Sequence, residues 1–305
     1  MRRKKRGTPV RAKLPATPNN DPLLLDEFSQ QDLRAWKRNS ELLHEYRVRQ
    51  FYELESLREL HRDELVEALK AIPPHRQTLS GWTRIVNYRY AMTPLSAAGS
   101  LRHGGRFNIG DDLDTDRFSS FPALYIAENY NTAYAERFGA PPSKGKELQP
   151  HELSLRDAKS FLSASLKGRI KGLFDLRDRK HLRSYAKIIG QFQMTRELRD
   201  LAMALGFDGP LLPGTPKELH MRLLGNWTDM PTQYGLPSNS QVFARFLREA
   251  GFEGVLYRST RAQGVCIALF VDRLDATDTF VELSDSAPPD VTITRLDSTT
   301  FQHLF

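Results

Sequence analysis

The chain has 305 residues, 40% of them hydrophobic and 10% aromatic, which is enough for a sizeable buried core and excludes a disordered polymer. One cysteine, Cys266, excludes an intrachain disulfide framework, and no Cys/His cluster has metal-ligand spacing, so no metal is expected. No run of about eighteen apolar residues is present, and MRRKKR is not followed by the apolar segment of a signal peptide, so a cytoplasmic protein without membrane contact is expected.

The net charge of +7 is not spread over the chain. Arg2, Arg3, Lys4, Lys5, Arg6, Arg11 and Lys13 account for the whole excess of 44 basic over 37 acidic residues. Residues 1–20 are therefore read as a basic flexible tail that could make weak, salt-sensitive contacts with nucleic acid. PATPNNDP then reads as a linker. From about Asp26 to Ile72 the chain is charged and free of glycine and proline, which predicts two or three helices in an N-terminal region, 21–76. Leu33, Trp36, Leu43, Tyr46, Phe51, Leu54 and Leu57 recur mostly at helical steps and define a docking face. Pro73 and Pro74 end the region.

Beyond Trp82 the texture changes to short β-like runs: WTRIVNYRY, GGRFNIG, ALYIA, IKGLFDL, EGVLYRS and VCIALFV. Helical segments are expected at 128–138, 178–191, 194–205 and 239–250. Strands and helices do not alternate strictly, which predicts an α+β domain with a mixed sheet over 77–283. Residues 284–305 read as a loosely attached extension with one strand-like run. Cys266 is expected as a buried strand residue. Tyr130, Tyr134 and Phe138 form an i, i+4, i+8 stripe expected to pack in the core.

The familiar phosphate-loop, dinucleotide-turn, zinc and nucleophile-elbow motifs are all absent. His103 stands beside two glycines, a context that is more often structural than catalytic. What remains is a set of separated polar residues on or beside strand-like runs: Arg84, Arg106, Tyr125, Glu136 and Ser259. Each has a bland explanation when taken singly.

Taken in order, an arginine in WTRIV, then GGRFN, then ALYIA with a helix ending in glutamate, and finally GFEGVLYRS, the set resembles the RES domain family over residues 80–273. The resemblance implies a partly split sheet with flanking helices, similar to ADP-ribosyltransferases, and NAD as substrate rather than recycled cofactor. It implies that Arg84 and Arg106 bind the dinucleotide, that Tyr125 positions its nicotinamide ribose, and that Ser259 hydrogen-bonds the nicotinamide end. Glu136 would be the catalytic carboxylate, acting with Arg84 and Ser259. The chain departs from the family pattern at Phe107, where tryptophan is usual, and at Arg258, where proline often stands.

The implied activity is that of a toxin that cleaves the nicotinamide–ribose bond and passes ADP-ribose to water or phosphate. A neutralising antitoxin or immunity protein would be its partner. Two alternatives are transfer of ADP-ribose to a macromolecule, and an inactive RES-like domain in a polyanion-binding protein. Glu128 competes with Glu136; if ENYNTAYAERF is one helix, Glu128 lies in its first turn, where helix-dipole stabilisation explains a carboxylate.

Overall fold

The computed structural model describes residues 30–139, 161–207 and 212–305. The basic tail, the linker and the first expected helical residues lie outside the described residues. Helix α1 (Gln30–Leu60) runs for 31 residues without glycine or proline, and α2 (Arg62–Lys70) follows after one residue. Pairs such as Arg49–Glu45 and Arg58–Glu55 line α1 at helical spacing. Its buried face begins later than the apolar pattern predicts: Trp36 is 72% exposed, whereas Tyr46, Phe51 and Leu54 are buried.

Strand β1 (His75–Asn87) starts directly after the two prolines, seven residues before the expected boundary. The reason is long-range pairing. β1 runs antiparallel to β3 (Phe161–Asp175) from His75↔Leu173 to Asn87↔Phe161, so backbone bonds hold the polar HRQTLS run in a strand. The other strands are β2 (Ala123–Ala127), β4 (Gly254–Arg258), β5 (Val265–Phe270), β6 (Phe280–Leu283) and β7 (Arg295–Leu296). The sheet order is β1-β2-β5-β4-β3-β6-β7, and the extra β1–β3 pairing closes the first five strands into a ring. Among the described residues only β3 and β4 run parallel; the other pairs are antiparallel. The expected mixed α+β fold, with its split sheet and helical N-terminal region, is what the chain forms.

The split lies on one edge of β3, which pairs with β6 over 166–169 and with β4 from Leu173. Glu253 fills the gap between them. Its Oε2 accepts from Gly172 N at 2.9 Å, Lys171 N at 3.3 Å and Thr279 Oγ1 at 2.5 Å. A side chain at Gly172 would collide with Glu253 Cγ at 2.6 Å, so the fork needs glycine there.

Alternation along the strands sorts side chains onto two cores. Ala123, Ala127, Tyr257, Cys266 and Ala268 face the first core, which the flanking helices cover. Leu124, Ile126, Ala164, Leu256 and Ile267 face the second. Over the first core lie α5 (Arg183–Ile189), α6 (Arg196–Ala204), α7 (Pro216–Leu224), α8 (Asp229–Tyr234) and α9 (Asn239–Glu249). A short helix, α3 (Ala98–His103), precedes β2, and α4 (Tyr130–Phe138) follows it.

Three expectations need correction. GGRFNIG is not a strand but a tight loop closed by one bridge, Gly105↔Asn108. Residues 284–305 are not loosely attached: Leu296, Phe301 and Leu304 are buried in the second core, and Leu304 O accepts from Ala97 N at 2.7 Å. The Tyr130–Tyr134–Phe138 stripe is not core; Tyr130 is 45% exposed, and Phe138 packs with its ring tilted against Phe161 at 5.1 Å near the surface.

Candidate active site

Glu136 sits in the last turns of α4, a helix started by Asn129, whose side chain accepts from Thr132 N at 2.9 Å. The cap places Glu128 before the helix, beside Gly264, and not in the first turn. Glu136 is the carboxylate that meets Ser259: Ser259 Oγ donates to Glu136 Oε1 at 2.5 Å, and Thr260 N donates to the same oxygen at 3.2 Å. Arg261 Nη1 reaches the Glu136 carbonyl at 3.1 Å. Residues more than 120 positions apart in sequence thus form one cluster at the β4–β5 turn.

The hydroxyl of Ser259 has one proton and two lone pairs, and all three are used. Its proton goes to Glu136, while Arg261 N and Ala262 N donate to its oxygen at 3.1 and 2.9 Å. Ser259 therefore fixes the glutamate instead of presenting a free hydroxyl. The second carboxylate oxygen of Glu136, Oε2, has no partner among the described residues and is not enclosed. One oxygen is anchored and the other is available.

Arg106 joins the cluster from the GGRFN loop. Its Nη2 donates to Thr260 Oγ1 at 3.1 Å, and its Nη1 donates to Gly225 O at 2.6 Å, at the negative end of α7. Tyr125 holds this loop in place. Its hydroxyl donates to Asn108 Oδ1 at 2.8 Å and accepts from Phe107 N at 2.9 Å. Burial pushes the Tyr125 phenol well above its ordinary pKa, only partly offset by the Phe107 hydrogen bond and the Arg106 charge, so it stays protonated.

Arg84 lies elsewhere. Its neighbour Thr83 pairs with Ala127 on the first-core face, and Arg84 itself pairs with Ala164 on the second-core face. Its guanidinium donates to Ser96 O at 2.6 Å and to Tyr125 O at 3.3 Å, and its Nε is buried without a partner. Burial pulls its pKa down to about 10, still charged at neutral pH. The structure thus brings together Glu136, Ser259, Arg106 and, through the loop, Tyr125, while Arg84 touches the backbone of β2 from behind.

Several residues escaped the sequence reading. Asn108, fully buried, donates to Ser100 O and Phe121 O at 2.8 and 3.1 Å. Gln241 of α9, also buried, donates to Gly105 O and Asn108 O at 3.1 and 3.0 Å. Asn108 stands inside the quoted GGRFN, but Gln241 carries no local signal of its partner 133 residues away. Tyr257 packs on Phe107 at 4.9 Å, and burial raises its phenol and the Cys266 thiol, so neither ionises near neutral pH. Gly105 leaves room for the Tyr125 hydroxyl: a Cβ there would meet Tyr125 OH at 2.5 Å.

An open concavity of ≈570 Å³ is lined by Ala98, Leu101, Arg102, His103, Asp111 and Asp112, none of which belongs to this cluster. Its charged groups are exposed, and Glu136 holds the stronger chemical claim because its carboxylate is fixed by Ser259 and Thr260 of the β4–β5 turn. Among the described residues no group of three or more His, Cys, Asp or Glu is placed to hold a metal, and no helix is long and apolar enough to cross a membrane.

Comparison with known proteins matches the RES domain profile to residues 82–291. Among solved structures, the chain is similar to the crystal structure of the M.tuberculosis MbcT-MbcA toxin-antitoxin complex. The TM-score is 0.40 at 14% identity, covering 79% of this chain and 96% of that one. No curated protein matches.

Proposed function

The chain belongs to the RES domain family, and from that premise we propose that it is an NAD-degrading enzyme that cleaves the nicotinamide–ribose bond and passes ADP-ribose to water or phosphate. The observation that carries this reading is the half-anchored carboxylate: Glu136 Oε1 held by Ser259 and Thr260, with Oε2 left free. Departure of nicotinamide leaves positive charge at the ribose C1, and a fixed carboxylate stabilises that charge as it develops. Nicotinamide is cationic while bound and neutral when it leaves, so no general acid is needed.

In this reading Glu136 is the catalytic residue and Ser259 positions it. Arg106, with donors beyond those given to Thr260 and Gly225, faces the pyrophosphate, for which a planar fork is suited. Tyr125 positions Arg106 by holding the loop, and Arg84 positions the β2 backbone. An enzyme that destroys NAD endangers the cell that makes it, so a neutralising protein partner that covers the site belongs to the proposal.

The test is nicotinamide release from NAD by the purified full chain. Glu136→Gln keeps the shape and the hydrogen-bond acceptor but removes the charge, and the rate is expected to fall about 10²–10³-fold. Equal release by both proteins, with matched thermal transitions, overturns the assignment.

A further inference from the structure

Where α1 meets the family domain there is a small cavity of ≈40 Å³, walled by Arg47, Gln50, Arg58, Arg222 and Asn239. Two of its polar walls are buried and incompletely satisfied. Gln50 is 5% exposed and its Nε2 has no partner; Arg58 is 4% exposed and its Nε has none. Both orphaned atoms are donors. Arg58 otherwise gives Nη2 to Asn239 Oδ1 at 3.2 Å and Nη1 to Glu55 at 3.4 Å.

Three guanidinium groups converge there with little to balance them. Glu55 is shared between Arg58 and Arg245, and Glu218 caps its own helix by accepting from Thr215 N at 3.1 Å. Neither Arg47 nor Arg222 is in an ion pair or a side-chain hydrogen bond among the described residues. Burial, and then the neighbouring Arg47 charge, hold the Arg222 pKa below its ordinary value. Like charges on α1 and α7 would push these elements apart, yet they form the wall of one cavity.

We propose that this cavity binds a phosphate-type oxyanion that clamps α1 to α7. An oxyanion accepts from every orphaned donor at once and supplies the missing negative charge, which a water molecule does not. The volume exceeds the roughly 10–15 Å³ needed for one water and suits one compact tetrahedral group. Arg47, Gln50 and Arg58 all lie outside the matched residues 82–291, so the site is built where the added helix meets the family domain. Its ligand is either free phosphate or the phosphate monoester of a larger molecule whose remainder stays in solvent.

The experiment is thermal unfolding of the full chain in anion-free buffer, with inorganic phosphate in one arm and 5′-AMP in the other. At roughly ten times its Kd the anion is expected to raise Tm by about 2 °C. The double variant Arg47→Gln/Arg222→Gln, at two half-buried positions, should lose that rise, while Arg106→Gln should keep it. A rise with phosphate identifies the free ion; a rise with AMP alone identifies a monoester. No rise in either arm, or an equal rise in the double variant, overturns the proposal. Should the double variant fail to fold, selenate soaked into wild-type crystals decides: an anomalous peak between Arg58 and Arg222 supports the site, and none at saturating selenate overturns it.

Discussion

Gly105 shows how little space surrounds the loop that carries Arg106. An added Cβ would come within 2.5 Å of Tyr125 OH and 2.7 Å of Asn108 Oδ1, the two atoms whose hydrogen bond fixes the loop. Gly105→Ala must break or stretch that bond, so it is expected to cost about 1–3 kcal/mol in urea unfolding and to lower nicotinamide release by displacing Arg106. At this scale the sequence was readable where a residue type is unusual in its setting: Glu136, Ser259, Arg106 and Tyr125 all stood out beside strand-like runs. The use each is put to was not readable. A serine with its hydrogen-bonding capacity spent on a glutamate and two backbone amides looks the same in sequence as one waiting for a ligand.

The last strand, β7, and the turn after it illustrate the element scale. Asp297 accepts from Arg295 Nε at 2.7 Å and from Thr299 Oγ1 at 2.7 Å, closing the turn that delivers Phe301 to the second core. Burial pushes the Asp297 pKa up, but the Thr299 and Arg295 hydrogen bonds outweigh it and bring the carboxyl down to about 2. The folded state therefore binds this proton less readily than the unfolded chain. Its contribution to stability is present above about pH 4 and is lost as pH falls through about 2. Wild type should lose more stability between pH 4 and pH 2 than Asp297→Asn does, as read by denaturant midpoints at each pH. Local signals located the element cores well: ALYIA forms β2 without a shift, and Asn239–Glu249 fills its expected helix. They failed for the start of β1 and for 284–305, where pairing with β3, and burial in the second core with a bond to Ala97, supply the reason for the structure.

Across the whole molecule, the N-terminal helices and the family domain share one hydrophobic core. Tyr46, Phe51, Leu54, Leu65 and Leu69 join the same buried cluster as Phe174, Phe243 and Val255. Arg62 on α2 also pairs with Glu249 on α9 at 2.9 Å. Removing residues 1–60 would uncover that cluster, so the truncated chain is expected to lose its cooperative calorimetric transition and to bind a hydrophobic dye. A sharp transition in the truncated chain would show the two regions to be independent. By itself the sequence determined the class of fold, the places of most helices and strands, and the residue types available for chemistry, because periodicity and chemical type are local properties. Only the tertiary structure decided that Glu136 rather than Glu128 meets Ser259, that Arg106 joins them while Arg84 lies behind the sheet, and that Gln241 holds the loop. Those facts depend on strand register and on which face of a strand a side chain takes. Both are set by backbone pairing between residues far apart in the chain, which no local pattern encodes.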